Sequence, residues 1–482
     1  MRVHWHRQDL RAADNKGLAA AAEDRALPAF VFDPDVMAHG APPRMAFLLD
    51  ALASLRETYR EHGSDLLVAR GDPAEEIPRL VEEYDADGVT WNHDYSGLAT
   101  ERDRRVREAL ADADSEYENF HDAVCHEPGS ITTNDGDPYS VFTYFGNKWL
   151  DREKEDSYPG PDGDSLADVD TDAAEGTDDL PTLDDLGFDD PESDLPDAGT
   201  EAARERLEAF CSEDIYRYDD RRDYPAEGTT SRLSQDLKYG TIGIREVYER
   251  TVEAADDAES DAERESVEAY QEELAWREFY TQVLYYNPNV VSRNYKDYEN
   301  EIEWRENDDH LDAWKAGETG YPIVDAGMRQ LRRESYMHNR LRMIVASFLT
   351  KDLMLDWRAG YEHFCQHLVD HNTGNDNGGW QWAASTGTDA QPYFRVFNPM
   401  TQGERYDPDG EYIAEYVPEL EGIDPDVIHS WHELNDDERD EHAPDYPAPI
   451  VDHSERREEA ISMFERARGE DEDEAGDGDD EN

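Results

Sequence analysis

The sequence predicts two domains of different class, an α/β domain with a parallel sheet at the N-terminus and an all-α domain after it. Three observations carry that expectation. At 482 residues the chain exceeds the size at which a single core stops growing. Up to about residue 130, short apolar segments alternate with amphipathic helical stretches, the pattern of parallel β/α units. From about 201 to 465 the periodicity is helical and tryptophan is frequent.

In chain order, strands are expected at Val3 to Trp5, Ala29 to Phe32, Leu66 to Val68 and Val89 to Trp91. Each is a short apolar run suited to a sheet covered on both faces. The first domain is placed at 1–130 and a linker at 131–200, because residues 151–200 hold 19 acidic side chains against Arg152 and Lys154, with Pro and Gly scattered among them. The helical domain is placed at 201–465. A disordered acidic tail is expected at 466–482, where residues 470–482 alone carry 9 acidic groups. Within the helical part, 266–286 sets Tyr270, Glu273, Arg277 and Tyr280 on one stripe, which an i, i+4 pair between Glu273 and Arg277 explains in isolation.

The net charge is −72. Aromatic and branched aliphatic residues recur throughout the patterned segments, which excludes a disordered chain and leaves a salt-adapted globular protein. In molar salt the Debye length falls to about 3 Å, so a dense carboxylate surface costs little repulsion. Cys125, Cys211 and Cys365 are isolated, which suggests neither a disulfide framework nor a zinc site, and no metal is expected. The charged start MRVHWHRQDLR is no secretory signal, and no apolar run approaches the roughly 20 residues of a membrane span. A cytoplasmic, monomeric protein without membrane contact is expected.

Three segments carry candidate chemistry. Tyr218 to Ser234 sets Thr230, Ser231 and Ser234 with Arg232 just before a helical run, where amides, hydroxyls and a cation suit a pyrophosphate, although Ser and Thr are also ordinary helix caps. Residues 336–343 begin a helix with Asn339, Arg340 and Arg342, cations that oppose its dipole unless an anion or a carboxylate such as Asp370 sits there. From Asp370 to Pro399 a Gly- and Asn-rich loop leads to Trp380 and Trp382, two apart and so facing different ways on a helix, core packing being the commoner fate of each.

Taken with WREFY at 276–280, TGYPIVDAGMRQL at 319–331, MHNRLRM at 337–343 and GGWQWAASTGTD at 378–389, the chain resembles the photolyase and cryptochrome family over nearly its whole length. The resemblance implies a Rossmann-like antenna domain with a parallel five-stranded sheet, an all-helical domain holding FAD, and light-driven electron transfer to damaged DNA. It implies FAD contacts from Tyr218, Thr230, Ser231, Arg232, Leu233, Ser234, Arg277, Asn339, Arg342 and Asp370, with Arg342 and Asp370 paired beside the flavin. It also implies an electron relay through Trp380, Trp357 and Trp314 to the surface, and lesion contacts from Glu273, Trp276, Arg340, Met343 and Trp382. Glu273, if buried, would have a raised pKa and donate a hydrogen bond to the lesion. The segment 321–360 has seven basic residues against four acidic ones, the expected seat of DNA attraction.

The sequence also departs from the family pattern. Asp376 stands where photolyases have Asn facing the flavin's central nitrogen, which argues for a signalling cryptochrome; Asn372 and Tyr336 replace an expected Asp and Trp. Asn339 and Met343 stand where a (6-4) photolyase would have His, so cyclobutane dimers are the expected lesion. A flavin-binding scaffold without catalysis is a third class. Trp91 to Asp94 and Glu101 to Asp103 resemble in part the pattern of an 8-hydroxy-5-deazaflavin antenna, which is expected ahead of methenyltetrahydrofolate.

Overall fold

The computed structural model of the chain describes residues 1–169 and 180–470. It divides into two compact units, one formed by 1–221, 229–289 and 369–374, the other by 222–228, 290–368 and the chain from Asn375 onward.

The first unit is built on five parallel strands, β1 (Arg2–His6), β2 (Ala26–Phe32), β3 (Leu67–Arg70), β4 (Gly88–Asn92) and β5 (Glu116–Phe120), in the order β3-β2-β1-β4-β5. Every residue of β2 and β4 is buried, as strands covered on both faces require. Five parallel strands match the sheet that the resemblance implied, although the fifth, EYENF, was not among the four segments located in the sequence. It pairs only with β4, and its exposed Glu116 and Glu118 blunt the sheet's edge. The strand order reverses between β1 and β4, which pair in parallel from Arg2↔Gly88 to Trp5↔Trp91. In open parallel sheets ligands bind beyond the strands' carboxyl ends at such a reversal.

The expected boundaries do not coincide with the units. The segment read as a linker contains the helix Phe142–Asp151, whose Phe142, Phe145 and Trp149 are buried in one cluster with Phe210, Tyr270 and Phe279. Leu166 is likewise buried and bridges Ala26 beside β2. Acidic composition masked this packing, because only one face of each piece turns inward. Residues 170–179 of the expected linker and 471–482 of the expected tail lie outside the described residues.

Buried charge also holds the first unit together. Arg245 spans Asp14 and Asp122, each at 2.5 Å, and Arg11 also pairs with Asp122. Loops beside the sheet are thereby tied to the helix Ile244–Asp257, and removing one partner of such a buried set costs about 3–5 kcal/mol. The second unit is helical, its core gathered around Trp314, Met328, Leu341, Phe348, Trp357, Trp380 and Trp431. Among the described residues no helix is long and apolar enough to cross a membrane.

Candidate functional site

In the first unit a cavity opens beyond the carboxyl ends of β1 and β4, lined by Arg7, Asp9, Asp94, Lys238, Arg277 and Gly374 among others. It therefore stands where the strand order reverses. Arg7 donates to Asp103 at 2.5 Å and to the Asn92 carbonyl, and its guanidinium flanks the Trp5 ring at 5.0 Å. Burial acts to raise the Asp94 pKa, but Arg102, Arg7 and Lys238 more than offset it and hold the group as a carboxylate. The cavity volume is about 70 Å³.

The hydroxyl-rich segment lies in the same unit. The helix Ser234–Tyr239 has only six residues, its N-cap is Leu233, and no side chain caps it, so capping does not account for Thr230, Ser231 and Ser234. Thr229 is buried and its Oγ1 has no hydrogen-bond partner. Arg232 adopts φ +52, in the left-handed region. The Tyr270 hydroxyl donates to Ser231 Oγ at 3.1 Å, and Tyr218 stands edge-on to Tyr270 at 5.3 Å. A buried orphan hydroxyl in an irregular, hydroxyl-lined turn fits a phosphate-bearing cofactor.

The helix Asp261–Tyr286 starts with a capping box between Ser260 and Glu263. Trp276 lies parallel on Phe142, with centroids 3.7 Å apart and planes at 10°. Arg277 turns from the stripe to donate to the carbonyls of Ala123 at 2.7 Å and Leu237 at 3.1 Å, in place of the expected intrahelical pair. Glu273 is half-buried rather than enclosed. The enclosed carboxyl is Glu278, which accepts from the amides of Cys125 at 2.8 Å and His126 at 3.0 Å, and burial pushes its pKa up to about 7. Asp370, also of this unit, is buried.

In the second unit, the helix Asn339–Ser347 is capped by His338, which accepts from the Arg340 amide. Its cations find carboxylates: Arg340 pairs with Asp223 at 2.6 Å and lies over Tyr406, while Arg342 Nη1 stands 3.4 Å from Asp376 Oδ1. Asn377 is committed elsewhere, donating to the Val290 carbonyl, which leaves Asp376 as the charged member of the pair 376–377. Asn339 Nδ2 approaches Met343 Sδ at 3.9 Å. The expected basic seat at 321–360 is largely neutralised, since Arg329, Arg340, Arg342 and Arg358 each face a carboxylate and Lys351 is buried.

Trp380 and Trp382 diverge as helix geometry requires. Trp380 is in the core and Trp382 is half-buried beside Phe397. A Cβ on Gly360 would fall 2.0 Å from the Trp380 ring, so this glycine lets the indole lie on the helix Trp357–His367, which begins with Trp357. Trp314 is 0 % exposed and edge-on to Trp380 at 6.0 Å, so it cannot be the surface end of a relay. The half-buried indole nearby is Trp304, missed in the sequence: Arg305 donates its amide to the Met354 carbonyl, which brings this segment to within a few residues of Trp357. Only its place beside Leu355 distinguishes it from the other tryptophans, and spacing does not reveal that.

The family described as "DNA photolyase" matches residues 2–162, and "FAD binding domain of DNA photolyase" matches residues 270–466. The chain belongs to the DNA photolyase family, which includes the cryptochromes. Within it, the chain is 63% identical to a deoxyribodipyrimidine photo-lyase of Halobacterium salinarum, over 97% of this chain and 100% of that protein. Among solved structures, a class III photolyase from Agrobacterium tumefaciens superposes with a TM-score of 0.88 at 33% identity, covering 97% of both chains. An archaeal photolyase from Sulfolobus tokodaii, described as holding two FAD molecules and implying a novel light-harvesting cofactor, superposes with a TM-score of 0.81 at 32% identity, over 96% of this chain and 99% of that one.

Proposed function

We propose that this chain is a light-dependent deoxyribodipyrimidine photo-lyase acting on cyclobutane pyrimidine dimers in DNA. The observation that carries this reading is the similarity to a named photo-lyase over that protein's whole length. When bound, FAD supplies the absorption of blue or near-ultraviolet light and the electron that splits the dimer.

In the first unit Tyr218, Thr230, Ser231, Arg232, Leu233, Ser234, Arg277 and Asp370 would hold FAD, and in the second Asn339, Arg342 and Asp376. Thr229 adds an unspent buried hydroxyl to the first set. Arg342, 3.4 Å from Asp376, would offer its N–H donors to the flavin as one half of an oriented ion pair. For the substrate, Glu273 offers a carboxyl to the lesion, Trp276 and Trp382 offer stacking faces, Met343 packs, and Arg340 contacts base or phosphate. The dimer must leave the duplex to reach them, at a cost of a few kcal/mol that is smaller for a base pair already distorted. Trp380, Trp357 and Trp304, rather than Trp314, form a run of readily oxidised indoles from core to surface.

The cavity beyond β1 and β4 would take the edge of a second chromophore. An 8-hydroxy-5-deazaflavin type fits it better than methenyltetrahydrofolate, since Lys238 offers a cation to an ionised ring hydroxyl and Asp94 an acceptor. A photoreceptor without repair is the second reading, favoured by a carboxyl rather than an amide at Asp376; the full-length likeness to a photo-lyase weighs against it. The test illuminates the purified chain with dimer-containing oligonucleotide in molar salt and follows the flavin spectrum and dimer loss. Dimers should disappear in light and persist in darkness, and Glu273→Ala should lower the quantum yield more than the FAD content. A flavin-free chain, or dimers untouched by light, would overturn the proposal.

A further inference from the structure

The helix Phe142–Asp151 packs Phe142, Phe145, Gly146 and Trp149 inward. Its outer face carries Val141, Tyr144 and Lys148, a helical stripe at i, i+3 and i+7. Tyr144 is 64% exposed and Val141 37%, large apolar surfaces that the core does not use. Tyr139 lies nearly parallel to Tyr144, at 6.4 Å and 23°, and the Lys148 ammonium stands 5.1 Å above the Tyr139 ring.

Charge sets this face apart. The chain has 118 acidic residues, yet 138–150 contains neither Asp nor Glu and one Lys. A surface kept uncharged, aromatic and tipped with a cation inside so acidic a protein is matched to a polyanion that presents ring faces. The helix that bears the stripe also bears Phe142, whose ring, on the inward face, is stacked on Trp276, a candidate lesion contact. We infer that Val141, Tyr144 and Lys148, with Tyr139, form a contact for the substrate DNA outside the lesion, Tyr144 stacking on a base and Lys148 meeting the backbone.

The inference rests on the repair reading and adds to it. With the basic groups of 321–360 mostly paired to carboxylates, phosphate attraction is weak, and molar salt weakens it further. Stacking is neutral and survives salt. The test titrates flavin-loaded protein with dimer-containing and undamaged duplexes at low and at molar salt. Tyr144→Ala should bind dimer-containing DNA about 10-fold more weakly at both salts, the scale of one lost stacking contact. Tyr144→Phe should bind like wild type, and Lys148→Ala should weaken binding at low salt only. Flavin content and melting temperature report that the exposed substitution leaves the fold intact. Tyr144→Ala binding as tightly as wild type, while wild type still prefers the dimer, would overturn the contact alone. Wild type showing no preference for the dimer would overturn the repair reading beneath it.

Discussion

Glu273 and Glu278 sit five residues apart on one helix and meet different fates, because 100° per residue separates a half-buried face from the core. Glu278 is enclosed, and its two backbone amide donors do not offset the loss of water, so its pKa rises from 4.5 to about 7. The folded state therefore binds this proton more tightly than the unfolded chain does. Its contribution to stability is complete below about pH 4.5 and is lost as pH rises through about 7, some 3 kcal/mol in all. Glu278→Gln should remove that slope. Denaturation midpoints of both forms between pH 4 and 8 check this, and parallel curves would reject it. Asp376 stood out in the sequence only as a departure from the Asn of the family it resembles, whereas its pairing with Arg342 emerged only when two separate helices were brought together.

Among elements, the tryptophans show how placement separates side chains that residue type cannot. Trp314 and Trp304 lie ten residues apart in similar sequence surroundings. One is sealed against Trp380 with its indole N–H donated to the Val345 carbonyl at 3.1 Å, and the other stands half-exposed beside Phe464. Under the proposed relay, an electron vacancy formed at Trp380 would reach solvent-borne reductant through the second. Trp304→Phe should therefore slow steady photoreduction by external donors at least several-fold while leaving flavin content intact. Trp314→Phe should chiefly cost stability, about 1–3 kcal/mol for a disturbed buried ring. Photoreduction kinetics and thermal melts separate the two, and loss of photoreduction in the Trp314 variant alone would reverse the assignment. The helix Phe142–Asp151 was missed as an element because acidic flanks and a Pro- and Gly-rich neighbourhood read as linker; its inward spacing of Phe142, Phe145 and Trp149 was the available signal.

For the whole molecule, charge decides the conditions of folding. A net charge of −72 repels itself over about 10 Å at 0.1 M salt and over about 3 Å at 1 M. Dilution out of molar salt should lower the melting temperature steeply, whereas the buried set of Arg11, Arg245, Asp14 and Asp122 is little screened and should keep the sheet-bearing unit ordered longest. Calorimetry across a salt series, read with hydrogen exchange at Arg245, checks this, and a melting temperature insensitive to salt would reject it. The parallel sheet and the helical remainder were legible in the sequence because they rest on short-range periodicity, and the flavin was implied by the motifs that resemble the family. Tertiary structure alone decided which carboxyl is enclosed, which indole faces solvent, which cations are already paired and where the units divide. Those are questions of burial and long-range contact, set by the packing of segments far apart in the chain, and local pattern does not encode them.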